Sequence, residues 1–100
     1  MEVIEIKEED FKEKIKEGKV VVDCFATWCG PCKMLSPILD QVARESEGIS
    51  FYKIDIDEAE SVAEEYEISS IPTILVFENG ELKNTSVGLK SKDEILEMIR

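Results

Sequence analysis

The strongest restriction on the fold comes from residues 20–26, a nearly continuous apolar segment interrupted only by Asp23. A strand that is apolar on both sides is typical of a sheet covered on both faces, as parallel sheets flanked by helices are. Segments with the apolar spacing of helices lie before and after it. The sequence therefore alternates between strand and helix, which predicts an α/β protein built around this strand.

The other elements follow from hydrophobic spacing and from turn residues. The spacing predicts strands at 3–6, 51–56, 74–77 and 82–87 and helices at 7–17, 59–66 and 91–99, and the apolar residues within 35–42 mark a further helix that ends before Gly48. Gly18 ends the first helix, and the dipeptide Asn79-Gly80 suits a tight hairpin. Ser91 and Glu94 form the capping box of the last helix. The order β-α-β-α-β-α-β-β-α implies one mixed five-stranded sheet, parallel at first and antiparallel at the end, flanked by four helices.

Size and charge limit the possible functions. The chain has 100 residues, the common size of a single domain, so residues 1–100 are predicted to form one domain. Lysine and arginine number 12 against 23 aspartates and glutamates, a formal charge of −11. Nucleic acids and anionic membrane surfaces would repel such a chain, so neither is expected as a partner. The sequence contains no histidine, which excludes Ser/His and Cys/His nucleophilic machinery and histidine-ligated metal sites.

The start of the chain and its cysteine content bear on where the protein works. Glu2 and Glu5 stand where a signal peptide would have basic and then apolar residues, and no segment approaches the roughly 20 apolar residues of a membrane span. The three cysteines are too few and too clustered for the disulfide framework of a secreted domain. We therefore expect a cytoplasmic protein, in which a close cysteine pair indicates redox chemistry or metal binding.

The cysteine pair Cys29-Gly30-Pro31-Cys32 lies between the apolar strand and the helix that follows. Cys29 is thus predicted at a helix N-terminus, where free N–H groups and the helix dipole stabilise an anion. Because the thiolate is the form that attacks a disulfide, this is a favourable position for a reactive cysteine. Cys32 would lie close enough to resolve a mixed disulfide intramolecularly. Gly30 and Pro31 carry no positive charge that would stabilise the thiolate further, so we expect a reductant rather than an oxidant.

Three other interpretations of the pair are possible. A structural zinc site needs four ligands, and without histidine only Cys24 remains beside the pair, so this interpretation is disfavoured. An oxidase or isomerase would use the same exchange chemistry, and a measured reduction potential would distinguish it. A redox-independent interaction module would use the apolar surface around the pair and would bind its partner without either cysteine.

Three residues near the pair have both a functional and a purely structural interpretation. An ionised Asp23 inside an apolar strand is costly unless it is compensated, so it is either an ordinary paired carboxylate or part of the reaction site. Strand alternation allows, without establishing, a pairing with Lys53. Cys24 points to the opposite face and is interpreted as a small buried hydrophobe. Trp28 either shields the cysteine pair or belongs to the core.

The segment Trp28-Cys29-Gly30-Pro31-Cys32-Lys33 resembles the active-site motif of the thioredoxin family. Further matches to the family pattern stand at Val21-Val22-Asp23, Pro37-Ile38-Leu39, Lys53-Ile54-Asp55, Ile71-Pro72-Thr73, Asn79-Gly80 and Gly88. The resemblance therefore covers essentially the whole sequence. It implies the thioredoxin fold, with reduction of protein disulfides by thiol–disulfide exchange as the activity.

The resemblance also implies a role for individual residues. Cys29 would be the exposed attacking thiol and Cys32 the buried resolving thiol. Asp23 would assist proton transfer to and from Cys32, with Lys53 as its charged neighbour. Pro72 would be a cis-proline facing the cysteines.

The same resemblance implies a substrate surface and a set of partners. The expected apolar docking surface consists of Trp28, Gly30, Pro31, Ile71, Pro72 and Gly88. An extended client segment would pair with the backbone at Ile71. The expected partners are disulfide-containing client proteins and an NADPH-dependent thioredoxin reductase that recycles the oxidised form. No cofactor and no metal is expected in the chain itself, and it is expected to act as a monomer.

Overall fold

The computed structural model describes the whole chain, Met1–Arg100. Its five strands are β1 Val3–Ile6, β2 Lys19–Phe25, β3 Ile49–Asp55, β4 Thr73–Glu78 and β5 Glu81–Val87. The four α-helices are α1 Phe11–Ile15, α2 Gly30–Glu45, α3 Glu60–Glu65 and α4 Lys92–Ile99, and short 3₁₀ turns at Glu8–Asp10 and Ile56–Glu58 precede α1 and α3. None of these helices is both long enough and apolar enough to cross a membrane. The order of elements predicted from the sequence is confirmed.

The strands form one sheet in the order β1-β3-β2-β4-β5, with β2 at its centre. β1 and β2 run parallel to β3, while β4 is antiparallel to both β2 and β5. The predicted mixed sheet, parallel at first and antiparallel at the end, is therefore confirmed. Because β2 has a strand on each side and is covered on both faces, residues 20–24 are all buried, which explains the apolar segment.

Helices cover both faces of the sheet and create two core layers. Along β2 the side chains alternate: Val20, Val22 and Cys24 join one layer, and Val21 joins the other. The first layer contains apolar residues of α1 and α3, and the second contains those of α2 and α4. Cys24 is fully buried in the first layer, so its interpretation as a small buried hydrophobe is confirmed.

Several predicted boundaries differ from the observed ones, and two of these differences lie at turns. The predicted helix at 7–17 is a 3₁₀ turn followed by an α-helix of 5 residues, which ends at Ile15 because the chain then turns through Gly18 into β2. The predicted strand at 51–56 ends one residue early, at Asp55. The Asp55 carboxylate accepts a 3.0 Å hydrogen bond from the backbone N–H of Asp57, and this bond begins a 3₁₀ turn instead.

The hairpin between β4 and β5 has the predicted turn. Asn79 and Gly80 have φ angles of +51° and +85°, the left-handed pair that a two-residue hairpin loop needs. The backbone N–H of Asn79 donates to the Gly18 carbonyl oxygen, and the Asn79 side-chain oxygen accepts from the Gly18 N–H, both at 2.9 Å. The hairpin is thus fixed to the turn that leads into β2. The predicted capping box of α4, between Ser91 and Glu94, is also present.

Replacing Asn79 by alanine is expected to lower the free energy of unfolding by about 1–2 kcal/mol, because the Gly18 N–H loses its acceptor and alanine tolerates a positive φ less well than asparagine. Urea denaturation followed by circular dichroism measures this change. Asn79→Asp is the matched control: it keeps an acceptor oxygen and a residue type that adopts positive φ, so its loss is expected to be smaller. Equal losses in the two variants would contradict the role assigned to the Asn79–Gly18 contact.

Candidate redox site

The cysteine pair occupies the junction between β2 and α2. Cys29 is the N-cap residue of α2, and its sulfur accepts a 3.2 Å hydrogen bond from the backbone N–H of Cys32. Pro31 lies in the first helical turn, where its missing N–H leaves no hydrogen bond unmade. The two cysteine Cα atoms are 5.3 Å apart and the sulfurs are bonded to each other, so the structure is the oxidised form.

The expectation that Cys29 is exposed is wrong for this oxidised form. Cys29 and Cys32 are each only 4% exposed. They pack with Ala26 and with the partly buried side chains of Phe25 and Ile71, and the Cys29 sulfur lies 3.9 Å from the Ile71 carbonyl oxygen. Because its sulfur is bonded to Cys32, the Cys29 side chain is directed into this small apolar cluster rather than toward solvent.

A loop before β4 closes one side of the pair. The Ile71–Pro72 peptide bond is cis, as the resemblance implies, and Pro72 is buried. The Pro72 carbonyl accepts a 2.8 Å hydrogen bond from the N–H of Gly88, whose φ of +95° lies in the range that favours glycine. The Thr73 hydroxyl donates to the Ser70 carbonyl oxygen at 2.5 Å. These two bonds hold the backbone of Ile71 beside the disulfide.

Trp28 lies on the surface next to the pair and is 70% exposed, so its interpretation as a core residue is wrong. Its indole N–H donates a 2.7 Å hydrogen bond to the Asp57 carboxylate. Asp57 stands in the 3₁₀ turn after β3, where its own N–H is bonded to Asp55. Asp57 was not expected in the site. Its sequence signal is weak, since the spacing of Asp55 and Asp57 indicates a capped turn but not what that turn approaches.

Asp23 is buried in the sheet at 3% exposure, and its carboxylate oxygen Oδ1 has no hydrogen-bond partner. Lys53 is its register partner on β3, but the two side chains form no direct ion pair, and the Lys53 ammonium lies 5.7 Å from the centre of the Phe25 ring. Burial raises the pKa of Asp23 to about 7, the charge of Lys53 lowers it, and the charge of Asp40 raises it. Asp23 is therefore not an ordinary ion-paired carboxylate.

A cavity of about 270 Å³ joins the buried carboxylate to the second cysteine. Cys32 lies at its wall, and its polar lining residues are Asp23, Thr27, Lys33, Ser36 and Lys53. Thr27, Lys33 and Ser36 were not predicted from the sequence to lie in the site. Ser36 follows Cys32 by four residues on a predicted helix, and this spacing could have indicated that both side chains lie on one face. No group of three or more histidine, cysteine, aspartate or glutamate side chains converges in a way that could hold a metal ion.

The chemistry open to this arrangement is transfer of two electrons. The bonded sulfurs can accept two electrons and two protons to become a dithiol, and the dithiol can return them to another disulfide through a mixed-disulfide intermediate. Fold and site together define a small α/β protein of the thiol–disulfide exchange class.

Comparison with known proteins identifies the family within this class. The family model for thioredoxin matches residues 2–100. The thioredoxin of Chlamydia trachomatis serovar D is 45% identical over 94 residues, which are 94% of this chain and 92% of that protein. A thioredoxin of Staphylococcus epidermidis is 41% identical over 100 residues, 99% of this chain and 96% of that protein. A solved mutant thioredoxin from Halobacterium salinarum NRC-1 has a TM-score of 0.89 at 30% identity, covering 98% of this chain and 88% of that one.

The chain belongs to the thioredoxin family. Thioredoxins are protein-disulfide oxidoreductases, so the predicted fold and the predicted activity, reduction of disulfides by thiol–disulfide exchange, are confirmed. Disulfide-containing client proteins and a reductase that recycles the oxidised form are the partners of this family in general.

Stability is expected to depend on pH through Asp23, whose pKa is about 7 in the folded protein and near 4 in an unfolded chain. Below about pH 4 the group is protonated in both states. Between about pH 4 and 7 only the unfolded chain ionises, so the free energy of unfolding falls as pH rises, and above about pH 7 the loss is complete. Asp23→Ala removes this loss, and its stability relative to wild type is expected to increase by up to about 4 kcal/mol between pH 4 and pH 8.

Urea denaturation at pH 4, 6 and 8 measures the effect. Glu47→Ala, at an exposed position, is the control and is expected to keep the pH dependence of the wild type. A constant difference between Asp23→Ala and wild type across this range would show that burial does not perturb Asp23.

Trp28 is the single tryptophan, so protein fluorescence on tryptophan excitation reports on this side chain alone. Asp57→Ala removes the acceptor of the indole N–H, and the fluorescence anisotropy is expected to fall because the exposed ring gains rotational freedom on the nanosecond timescale. Asp57→Asn keeps an acceptor oxygen and is expected to stay near the wild-type value. An unchanged anisotropy in Asp57→Ala would mean that the Trp28–Asp57 bond does not hold the ring in solution.

Proposed function

We propose that this protein reduces disulfide bonds in client proteins with Cys29 as the attacking thiol and Cys32 as the resolving thiol. The observation that carries this assignment is the different surroundings of the two sulfurs. Cys29 caps α2, whereas Cys32 lies at the wall of the cavity that contains the Asp23 carboxylate. A helix N-terminus stabilises a thiolate, which suits Cys29 as the attacking group. A neighbouring base can accept the proton of a thiol during the reaction, which suits Cys32 as the resolving group.

In the first step, the Cys29 thiolate of the reduced form attacks one sulfur of the client disulfide. A bond forms between Cys29 and that client sulfur, the client disulfide breaks, and the second client sulfur leaves as a thiolate that takes up a proton from solvent. The N-terminus of α2 stabilises the attacking thiolate through its dipole and its free N–H groups. The N–H of Cys32 already points at the Cys29 sulfur in the oxidised form.

In the second step, Cys32 transfers its proton to Asp23 and attacks the Cys29 sulfur. The bond between Cys29 and Cys32 forms, and the client is expelled as a thiolate. A pKa of Asp23 of about 7 suits this role, because near neutral pH the carboxylate is partly ionised and still basic enough to accept a proton. Lys53 is assigned as the charged neighbour that keeps part of Asp23 ionised despite its burial.

Client segments are proposed to dock on the surface formed by Trp28, Gly30, Pro31, Ile71, Pro72 and Gly88. Trp28 offers an exposed apolar ring, and Gly30 is exposed with no atom near the position of a Cβ, so a client backbone can come close to Cys29. An extended client segment is proposed to pair with the backbone at Ile71. Pro72 is buried in the oxidised form, so its part is to position Ile71.

We further propose that an NADPH-dependent thioredoxin reductase recycles the oxidised form, and that the protein acts in the cytoplasm as a monomeric single domain without a bound cofactor. Its formal charge of −11 disfavours nucleic acid and anionic membranes as partners. The direction of exchange, reductive rather than oxidative, is supported by the absence of a charged residue between the cysteines.

Substitution of each cysteine tests the assigned roles in the reduction of insulin by dithiothreitol. Wild type is expected to accelerate insulin precipitation. With Cys29→Ser, precipitation is expected to be no faster than with dithiothreitol alone, because the attacking sulfur is gone. Cys32→Ser retains the Cys29 thiol that attacks the client disulfide but lacks the thiol that releases the client, so it is expected to accumulate mixed disulfides with clients. Cys24→Ala removes the third cysteine, on the opposite face of β2, and is the matched control with retained activity.

Full activity of Cys29→Ser, or the recovery of no mixed disulfide with Cys32→Ser, would contradict these roles. The proposed recycling by a reductase is tested separately by measuring NADPH oxidation in the presence of a purified thioredoxin reductase and insulin. A protein that is active with dithiothreitol but supports no NADPH oxidation would contradict the recycling partner alone.

A further inference from the structure

Three polar residues of the redox cavity, Thr27, Lys33 and Ser36, have no part in the steps above. Ser36 lines the same cavity of about 270 Å³ as Asp23 and Cys32. It follows Cys32 by four residues on α2, so both side chains lie on the same face of the helix. Side chains on a helix point toward its N-terminus, which directs the Ser36 hydroxyl toward the turn that carries Cys32.

The buried carboxylate in this cavity lacks a hydrogen-bond donor. Asp23 is 3% exposed and its Oδ1 has no partner among protein atoms. Leaving a buried acceptor without a hydrogen bond is unfavourable, and more so when the acceptor is charged. A polar cavity of this size admits several water molecules, each of which occupies about 30 Å³ in the liquid. Cavity water can therefore link a hydroxyl on the cavity wall to the carboxylate.

We propose that Ser36 is a positioning residue of the exchange reaction: its hydroxyl donates, through cavity water, a hydrogen bond that stabilises the ionised Asp23 carboxylate facing Cys32. This proposal rests on the proposed role of Asp23 as the proton acceptor. When Cys32 attacks the mixed disulfide, its proton passes to Asp23, the bond to Cys29 forms and the client thiolate leaves. Ser36 neither gains nor loses a proton in this step. Its donor favours the charged form of Asp23 before the transfer.

Charged groups on the elements packed against Asp23 also shift its pKa. Lys53 on β3 lowers the pKa of Asp23, and Asp40 on α2 raises it. Lys33 lines the cavity from α2, and β4 contributes only uncharged residues opposite this part of β2. A substitution at Ser36 leaves all of these charges in place, so it isolates the effect of the hydroxyl.

The test is a titration of Asp23 in the oxidised protein, followed through the carbon-13 chemical shift of its carboxyl carbon. Ser36→Ala is expected to raise the midpoint by about 0.5 to 1 unit, which is a roughly three- to tenfold change in the ionisation constant. Ser36→Thr keeps a hydroxyl and is expected to restore the wild-type midpoint. Ser46→Ala makes the same change at the C-cap of the same helix and is expected to leave the midpoint unchanged.

Alanine is a better helix former than serine, so Ser36→Ala is expected to fold as well as the wild type. A midpoint that stays unchanged or moves to lower pH in Ser36→Ala would overturn the proposal, as would equal shifts in the alanine and threonine variants. The titration requires no turnover, so it is independent of the roles proposed for the cysteines.

In the reduced protein, the acid limb of the pH profile for release of a mixed disulfide is expected to move with the midpoint. A limb that does not move with a shifted midpoint would overturn Asp23 as the proton acceptor and, with it, the catalytic part of this proposal.

Discussion

The redox site depends on the position of β2 in the sheet. β2 is parallel to β3 on one side and antiparallel to β4 on the other, and the register pairs the last residues of β2 with the last of β3 and the first of β4. Parallel strands end at the same edge of a sheet, and an antiparallel neighbour begins there. The start of α2, the 3₁₀ turn after β3 and the loop before β4 therefore meet at one edge. This arrangement brings Trp28 into contact with Asp57, and Cys29 into contact with Ile71, from separate parts of the chain.

The burial that fixes β2 also sets the chemistry of Asp23. A direct ion pair with Lys53 would hold the carboxylate ionised and make it too weak a base to take a proton from a thiol. Without any positive charge nearby, burial alone would keep it protonated at neutral pH. Lys53 lies on the adjacent strand, opposes the effect of burial without contacting the carboxylate, and leaves the pKa at about 7. The Asp23 carboxylate thus lowers the free energy of unfolding at neutral pH. This is also the pH range in which it can accept and release protons.

Features that depend on neighbouring residues could be predicted from the sequence, and features that depend on how distant segments approach could not. The apolar residues 20–26, the Asn79-Gly80 turn and the capping box at Ser91 are local patterns with a local physical cause. The contact between Trp28 and Asp57 joins two turns that only the sheet brings together. The isomer of the Ile71–Pro72 bond has no local signal either, and the expectation came from the family resemblance alone.

Burial of both sulfurs changes how the asymmetry of the proposed reaction is explained. Since Cys29 and Cys32 are equally buried in the oxidised form, exposure does not distinguish them. Their surroundings do. The Cys29 sulfur accepts a hydrogen bond from the Cys32 N–H and lies 3.9 Å from the Ile71 carbonyl oxygen, next to the surface on which a client would dock. Cys32 lies at the wall of the polar cavity with Asp23. In the proposed reaction, an incoming thiolate from the docking surface would therefore meet Cys29 first, and the leaving Cys32 thiolate would be protonated from the cavity behind it.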